Sequence, residues 1–192
     1  MIKMFSSLLI ATGLLIASDI VSVADNVKEL KSINLKQRSV LFASFRYGFN
    51  KDFGYTMAGI GWQESKNGRD RINLSDPSFG IYHNLLGSVI NREGVRNTAY
   101  YRNKYANKLV QNDEFARSQA LSELLYWESY HLRKSGRAGL WQKTVRSYNA
   151  GGSYNCKEAD NYYINIKNKI EALKQVHFFD SYSKMLCNLK SK

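Results

Sequence analysis

The sequence predicts an all-α domain, and three features of the chain lead to that prediction. Apolar residues recur at helical spacing in one segment after another, and no run alternates apolar and polar residues as a half-buried strand would. Pro77 is the only proline among 192 residues. No internal repeat divides the chain. We therefore predict a single helical domain over residues 25–192, which is long enough to bury a core.

The segment before that domain has the character of a secretory signal peptide. Lys3 precedes an uncharged apolar run over residues 4–17, and Ser22 and Ala24 are small residues at positions −3 and −1 of a cleavage site. The run is short for a bilayer span, although an uncleaved N-terminal anchor is the alternative. We predict that residues 1–24 are removed and that the protein is exported to the periplasm or cell envelope.

The mature chain is predicted to begin with a weakly helical, polar segment over residues 27–36. Ser39 is then placed to cap a stronger helix, and residues 50–53 have the composition of the turn that follows it. The apolar residues of that helix are Leu41, Phe42, Phe45 and Phe49.

The next helix is apolar on every side. Its main stripe ends on an acid and consists of Phe53, Met57, Ile60, Gly61 and Glu64. Tyr55, Ala58 and Trp62 make the opposite side apolar too, which is typical of a core helix. A carboxylate at Glu64 therefore needs a hydrogen-bonding partner or a proton of its own, and a protonated carboxylic acid is what general acid catalysis requires. The alternative is a glutamate that marks the solvent edge of the helix.

Helical periodicity disappears after this acid. Residues 66–79 have loop composition, and a polar loop directly after a buried helical acid suits the rim of a cleft. A helix through residues 85–90 follows. Residues 97–110 are rich in tyrosine and cations, which indicates either a binding surface or, as we favour, a half-buried helix whose cations reach solvent.

Three further helices complete the predicted domain. Asn112 caps the longest of them, and acids in its first turn complement the helix dipole. A short helix over residues 140–150 ends at Gly151. The last helix runs from about residue 158 to residue 176.

The charge of the chain narrows the choice of partner. The formal net charge is +12, so an exported protein of this kind favours an anionic partner. Cell-wall polymer or an anionic membrane surface fits that charge outside the cytoplasm, and we expect no nucleic acid. The three histidines are isolated and no ligand pair has zinc spacing, so we predict no metal and no cofactor.

Two cysteines remain in the mature chain, Cys156 and Cys187. An even number in an oxidising compartment favours a disulfide, which would tie the end of the chain back to the segment after Tyr148. Such a bond is worth about 3–4 kcal/mol for the loop it closes. Two unpaired thiols are the alternative.

Two separated blocks and a weaker third element resemble the soluble lytic transglycosylases. Glu64-Ser65, a loop and the Gly-Ile-Tyr-His of residues 80–83 resemble the family's Glu-Ser … Gly-Leu-Met-Gln block. The Ser-Tyr-Asn-Ala-Gly of residues 147–151 resembles its Ala-Tyr-Asn-Ala-Gly block, and residues 158–162 resemble its Glu-Thr-Arg-x-Tyr element. The blocks stand in the family's order and cover residues 40–175.

The resemblance implies a lysozyme-like helical domain of the goose-lysozyme kind, with a cleft. It also implies cleavage of the MurNAc-β-1,4-GlcNAc bond of peptidoglycan without water, which leaves a 1,6-anhydro-MurNAc end. Glu64 would act first as acid and then as base, because the substrate's own acetamido group stabilises the anomeric carbon and no second carboxylate is needed. The substrate-binding residues that the resemblance implies are Ser75, Ser78, Tyr82, His83, Tyr148, Asn149 and Tyr162.

Several of these residues also have a structural interpretation. Tyr148 suits a core position on the stripe of its helix, and Asn149 suits the end of that helix. Tyr162 either reaches the acid or packs against Ile166, and we favour packing. Ser65, next to the acid, is expected to form hydrogen bonds at the helix end.

The chain departs from the family at four places. His83 stands where the family has glutamine, the Ile-Tyr of residues 81–82 replaces Leu-Met, and Asp160 replaces arginine. The loop after Glu64 is one residue longer than is usual, and in this it resembles small transglycosylases that accompany secretion, conjugation or phage machines. These departures bear on sugar-subsite preference and turnover more than on reaction class.

Other functions fit parts of the same sequence. A hydrolytic muramidase like goose-type lysozyme would use Asp76 as the base for a water molecule. An inactive glycan-binding or assembly protein, and a basic membrane-binding protein, would not need Glu64. We predict a monomeric lytic transglycosylase whose partners are peptidoglycan glycan strands, with a secretion, conjugation or phage-tail assembly as a second candidate partner.

Overall fold

The computed structural model describes residues 20–180, and helices dominate them. The predicted all-α class is confirmed. In chain order the helices are α1 (Val23–Ser32), α2 (Leu35–Phe49), α3 (Gly54–Ser65), α4 (Leu86–Arg92), α5 (Ala99–Gln111), α6 (Asp113–Ser135), α7 (Leu140–Ala150) and α8 (Lys157–Gln175). Most of the predicted signal segment and Cys187 lie outside the described residues.

A small antiparallel sheet lies in the segment between α3 and α4, where the sequence predicted only a loop and the start of a helix. Its strands are β1 (Ile72–Asn73), β2 (Ser78–Phe79) and β3 (Asn84–Leu85), with β2 in the middle. Ile72 pairs with Phe79, and Phe79 in turn pairs with Asn84. Strands of two residues are too short to show an alternating pattern, so the sequence gives no sign of this sheet.

Helix α2 begins four residues before the predicted cap. Asn34 forms a capping box with Gln37: the Gln37 N–H donates to Asn34 Oδ1 at 2.9 Å and the Asn34 N–H donates to Gln37 Oε1 at 3.1 Å. Ser39 lies inside the helix, where its hydroxyl donates to the Lys36 carbonyl. The prediction of a cap at Ser39 is wrong because the reciprocal pair at Asn34 satisfies two backbone donors, whereas a lone serine satisfies one.

Helix α1 begins at Val23, earlier than the predicted weak helix. Ser22 caps it by accepting the Asp25 N–H at 3.2 Å. Both backbone polar groups of Val21 form hydrogen bonds with α8. Its N–H donates to the Asn165 side chain, and its carbonyl accepts from the Asn168 side chain. These bonds lie just ahead of the predicted cleavage site, so removal of residues 1–24 would break them. Over residues 20–180 no helix is both long and apolar enough to cross a bilayer.

Helix α3 lies at the centre of the molecule, between two apolar clusters. Met57 and Ile60 belong to the larger cluster, which α4 to α8 complete. Ala58 and Trp62 belong to the second cluster with α1, α2, the last turns of α8 and Phe179, on which Phe45 stacks. The helix is therefore buried on both sides, as its sequence predicts.

The later helices agree closely with the sequence prediction. Asn112 caps α6 by accepting the Phe115 N–H at 2.9 Å. Helix α7 has the predicted bounds and stops at Gly151, which has a φ of 56°. A short 3₁₀ turn over Gly151–Ser153 leads to α8, whose N-cap is Cys156.

Gly80 is the point where the chain after β2 crosses α5. A Cβ atom there would lie 2.5 Å from the Leu109 carbonyl oxygen and 3.2 Å from the Ala116 Cβ atom. Its φ of +81° also disfavours any side chain. Glycine therefore allows the sheet to pack directly on α5 and α6, which places the segment that follows it.

We predict that Gly80→Ala destabilises the protein more than Gly94→Ala does. Gly94 has a φ of +68°, and among the described residues nothing lies within 4 Å of a Cβ atom there. Both variants carry the left-handed backbone cost of about 1–2 kcal/mol, whereas only Gly80→Ala adds an overpacking cost of about 1–3 kcal/mol. Urea unfolding measures both losses. Equal losses for the two variants would show that the close approach at Gly80 is not a constraint.

Candidate active site

Glu64 lies in the last turn of α3, partly withdrawn from solvent. Its side chain is 18% exposed. The Tyr162 hydroxyl donates to Oε1 at 2.6 Å, and His83 Nδ1 lies 3.4 Å from Oε2. The carboxylate thus has the partners that its place on an apolar helix requires. Tyr162 was expected either to reach the acid or to pack against Ile166, and it does both. Its ring is buried in the same cluster as Ile166, and its hydroxyl binds Glu64.

The end of α3 is what fixes Glu64 at the surface of the core. Lys66 adopts the left-handed conformation with a φ of 49°, and the next residue, Asn67, donates its N–H back to the Gly61 carbonyl at 3.2 Å. The Lys66 N–H also donates to the Trp62 carbonyl at 3.1 Å, which is the bond of the αL type of helix end. The chain therefore leaves the helix immediately after the acid, and the carboxylate is left at the edge of the buried stripe.

Ser65 joins the end of α3 to the segment that carries His83. Its hydroxyl is fully buried, donates to the Ile81 carbonyl at 2.8 Å and accepts the Gly68 N–H at 2.8 Å. The Gly61 carbonyl also lies 3.1 Å from the same oxygen. The expectation that Ser65 forms hydrogen bonds at the helix end is confirmed, and these bonds also span the loop.

His83 is held on both ring nitrogens. Nε2 lies 2.8 Å from the Asp70 carbonyl oxygen, and because a carbonyl only accepts, Nε2 carries a proton. Nδ1 therefore faces Glu64 as the nitrogen that gains or loses a proton. Burial acts to lower the pKa of His83, but the hydrogen bond and the charge of Glu64, together with the carbonyl and the charge of Asp70, outweigh it, so the pKa is raised.

The backbone at His83 is unusual for a residue with a side chain. Its φ is 44°, in the left-handed region. Such conformations cost free energy in residues other than glycine and are concentrated at functional sites. This conformation accompanies the placement of the ring between Asp70 and Glu64.

Two tyrosines from α7 and α8 surround the acid. The Tyr148 hydroxyl donates to the Tyr82 carbonyl at 3.1 Å. Burial raises the pKa of both Tyr148 and Tyr162 well above the usual value, and the negative charge of Glu64 raises it further. Both phenols therefore stay protonated and remain hydrogen-bond donors at neutral pH.

A pocket of about 180 Å³ opens beside His83 and Tyr148 and extends between α4 and α6. Arg92 lies in it, bound to Gln119 at 2.6 Å and paired with Glu123. The indole N–H of Trp127 donates to Glu123 at 2.7 Å. The remaining lining residues are Asn84, Leu85, Ser88, Val89 and Gly151. The pocket therefore combines an ion pair and an aromatic ring next to the acid.

The structure does not bring every predicted binding residue to this site. Tyr82 is 0% exposed and Ser78 is 4% exposed, so both side chains lie in the interior. The prediction that these two side chains contact a glycan is wrong, because Ser78 is buried in β2 and Tyr82 is buried in the turn between β2 and β3. The contribution of Tyr82 to the site is its carbonyl, which holds Tyr148.

The remaining predicted residues lie at the surface. Ser75 and Asp76 are exposed on the turn between β1 and β2, where the Ser75 hydroxyl donates to Asn73 Oδ1 at 2.6 Å. Among residues 20–180 no hydrogen bond joins either of them to Glu64. Asn149 is half-buried next to Tyr148. Their roles stay predictions.

The predictions about the cysteines and about a metal ion also stay predictions. Cys156 caps α8, where its sulfur accepts the Ala159 N–H at 3.4 Å. Cys187 lies outside the described residues, so the disulfide stays a prediction. Within the described part of the chain no three His, Cys, Asp or Glu side chains are grouped to hold a metal ion.

Sequence reasoning missed four residues of the site. Arg92, Glu123 and Trp127 line the pocket from two helices, and Asp70 contributes a backbone carbonyl. Trp127 is a large aromatic residue, but an aromatic residue within a helical segment is equally typical of a core position. Nothing in the sequence pairs an arginine with an acid about 30 residues away on another helix.

Comparison with known proteins identifies no relative of this chain. No family model matches the chain, and neither the curated proteins nor the solved structures include one with significant similarity to it.

We predict that Ser65→Ala destabilises the protein by about 2 kcal/mol, because it leaves a buried N–H and a buried carbonyl without their partner. Ser75→Ala is the matched control, since Ser75 is exposed and its loss costs no more than about 0.5 kcal/mol. Thermal and urea unfolding measure both. A loss at Ser65 as small as that at Ser75 would mean that its hydroxyl does not hold the loop to α3.

Proposed function

We propose that the protein is a peptidoglycan lytic transglycosylase that cleaves the MurNAc-β-1,4-GlcNAc bond and forms 1,6-anhydro-MurNAc. The observation that carries the proposal is the environment of Glu64. A carboxyl group at the end of a buried helix is held by a phenol and an imidazole, and the imidazole lines a pocket. This is the arrangement that the resemblance of the sequence to the lytic transglycosylases leads one to expect for a single acid–base residue.

The geometry suggests how one carboxyl group would serve two steps. Tyr162 holds Oε1, so Oε2 is the oxygen free to exchange a proton. In the first step Glu64 donates its proton to the glycosidic oxygen, and the C1–O bond breaks while the substrate's acetamido oxygen stabilises C1. In the second step the carboxylate removes the proton of the C6 hydroxyl, whose oxygen bonds to C1. The carboxyl group then has its proton again.

The pocket beside the acid supports a carbohydrate substrate. Trp127 offers an aromatic ring, and Arg92 and Glu123 offer polar groups that are already oriented by their hydrogen bonds. Sites of this composition suit ligands that combine apolar ring faces with many hydroxyl and amide groups. A glycan strand of N-acetylated sugars has that chemistry.

The chain as a whole fits a cell-wall substrate. A formal net charge of +12 attracts a polymer that carries peptide carboxylates. We propose that residues 1–24 direct the protein to the periplasm or cell envelope, where it acts as a monomer on glycan strands. Local opening of the wall for a secretion, conjugation or phage machine is the setting that we propose for this activity.

The proposal is tested by digestion of purified peptidoglycan with the mature protein, followed by mass spectrometry of the products. We expect 1,6-anhydro-muropeptides from the wild type and a loss of at least about 100-fold in their rate of formation for Glu64→Gln, because a general acid–base group contributes about 10²–10⁴-fold. Glu171→Gln is the control, since Glu171 is half-exposed on α8 and pairs with Lys174.

Other products would change or reject the proposal. Reducing muropeptides that depend on Glu64 would assign the protein to the hydrolytic muramidases and direct attention to Asp76. No product from a folded wild-type protein would reject the enzymatic function.

A further inference from the structure

We propose that Glu64 and His83 share a single proton and that His83 stores this proton for the acid step of Glu64. The use of the proton rests on the proposed function, whereas its sharing rests on geometry alone. His83 is in this account a positioning and proton-holding residue, because the group that meets the substrate is Glu64.

The two ring contacts of His83 leave one exchangeable proton between the imidazole and Glu64. Nε2 is 2.8 Å from the Asp70 carbonyl oxygen, so its proton stays in place. Nδ1 is 3.4 Å from Glu64 Oε2. If neither group carried the exchangeable proton, a nitrogen lone pair would face a carboxylate. One proton between Nδ1 and Oε2 removes that repulsion, and it resides either on the imidazole or on the carboxyl group.

Among the groups around the pair, Asp70 acts on the pKa of His83 in the same direction as Glu64 but more weakly. Asp70 turns its carboxylate to Lys66 and Arg69, both at 3.4 Å. Arg92 and Glu123, which lie in the adjacent pocket, pair with each other. Tyr148 and Tyr162 stay neutral, since burial raises the pKa of each. Glu64 is therefore the charged side chain that lies against Nδ1, and its hydrogen bond and then its charge are the main causes that keep the pKa of His83 raised against burial.

Burial of the pair explains how the proton would move to the acid. The side chains of His83 and Glu64 are 14% and 18% exposed, and a bound glycan would cover them further. Removal of water penalises the separated charges of imidazolium and carboxylate more than the neutral pair. Substrate binding thus favours breaking the Nδ1–H bond and forming the Oε2–H bond, which makes Glu64 the acid.

The proton returns at the end of the reaction. Glu64 donates it to the leaving glycosidic oxygen and takes another from the C6 hydroxyl when that oxygen bonds to C1. This second proton passes back to Nδ1 when the product leaves and water re-enters. The pair begins and ends with one proton, and no further reactant is required.

The sharing of the proton is tested by NMR titration of the three histidine rings in the ¹⁵N-labelled protein. In the wild type we expect the neutral His83 ring to carry its proton on Nε2. In Glu64→Gln, which keeps an oxygen that accepts from Tyr162, we expect the proton affinity of His83 to fall about tenfold, a difference of one in pKa. His131 and His177 are internal controls and should titrate unchanged. A neutral ring protonated on Nδ1, or an unchanged His83 titration, would overturn the proposal.

The storage of the proton is tested by the pH dependence of peptidoglycan cleavage. His83→Gln keeps an amide of similar reach but cannot hold the exchangeable proton. We expect wild-type kcat/KM to stay level until the pH exceeds the raised pKa of His83, and His83→Gln to lose about tenfold per pH unit over that range with little change in KM. Superimposable profiles would overturn the storage role. Absence of product at any pH would reject the proposed function, and the NMR titration would still decide whether the proton is shared.

Discussion

The hydrogen bonds of the Ser65 hydroxyl are the constraint on which the site depends. This one buried group joins the last turn of α3 to the start of the loop at Gly68 and to the Ile81 carbonyl. It thereby fixes the distance between Glu64, one residue before it, and His83, two residues after Ile81. Gly80 acts with it, because the absence of a side chain there lets the same segment lie against α5. Two small residues thus determine where the acid and the imidazole meet.

A carboxylate at the end of an apolar helix is stable here because its surroundings replace part of the water that it loses. Burial of an ionised group costs several kcal/mol, while a hydrogen bond to a charged group returns about 1.5–3 kcal/mol. Tyr162 supplies one such bond, and His83 supplies a second group that can carry a proton. Tyr148 adds a neutral donor nearby. The same arrangement that makes Glu64 tolerable in the fold leaves it able to exchange a proton, which is what the proposed reaction needs.

The sequence predicts the parts of this structure that depend on helical period and helix ends. The apolar faces of α3, the cap of α6 at Asn112 and the bounds of α7 follow from spacing and capping chemistry. The burial of the Tyr82 and Ser78 side chains does not follow from them, because it is set by two-residue strands and by the turn that joins β2 to β3. The pocket also escapes prediction, since Arg92 and Glu123 belong to different helices, and the Asp70 carbonyl that orients His83 is a backbone group with no sequence signal.

The most direct test of the account is a crystal structure of Glu64→Gln with a peptidoglycan tetrasaccharide bound. The account predicts that a glycosidic oxygen lies within hydrogen-bonding distance of the side chain at position 64, with a neighbouring sugar in the pocket beside Trp127 and Arg92. A glycan bound elsewhere on the molecule, with the cleft at Glu64 unoccupied at saturating ligand, would contradict it. In that case the buried acid, Tyr162 and His83 would be a structural network and not a catalytic site.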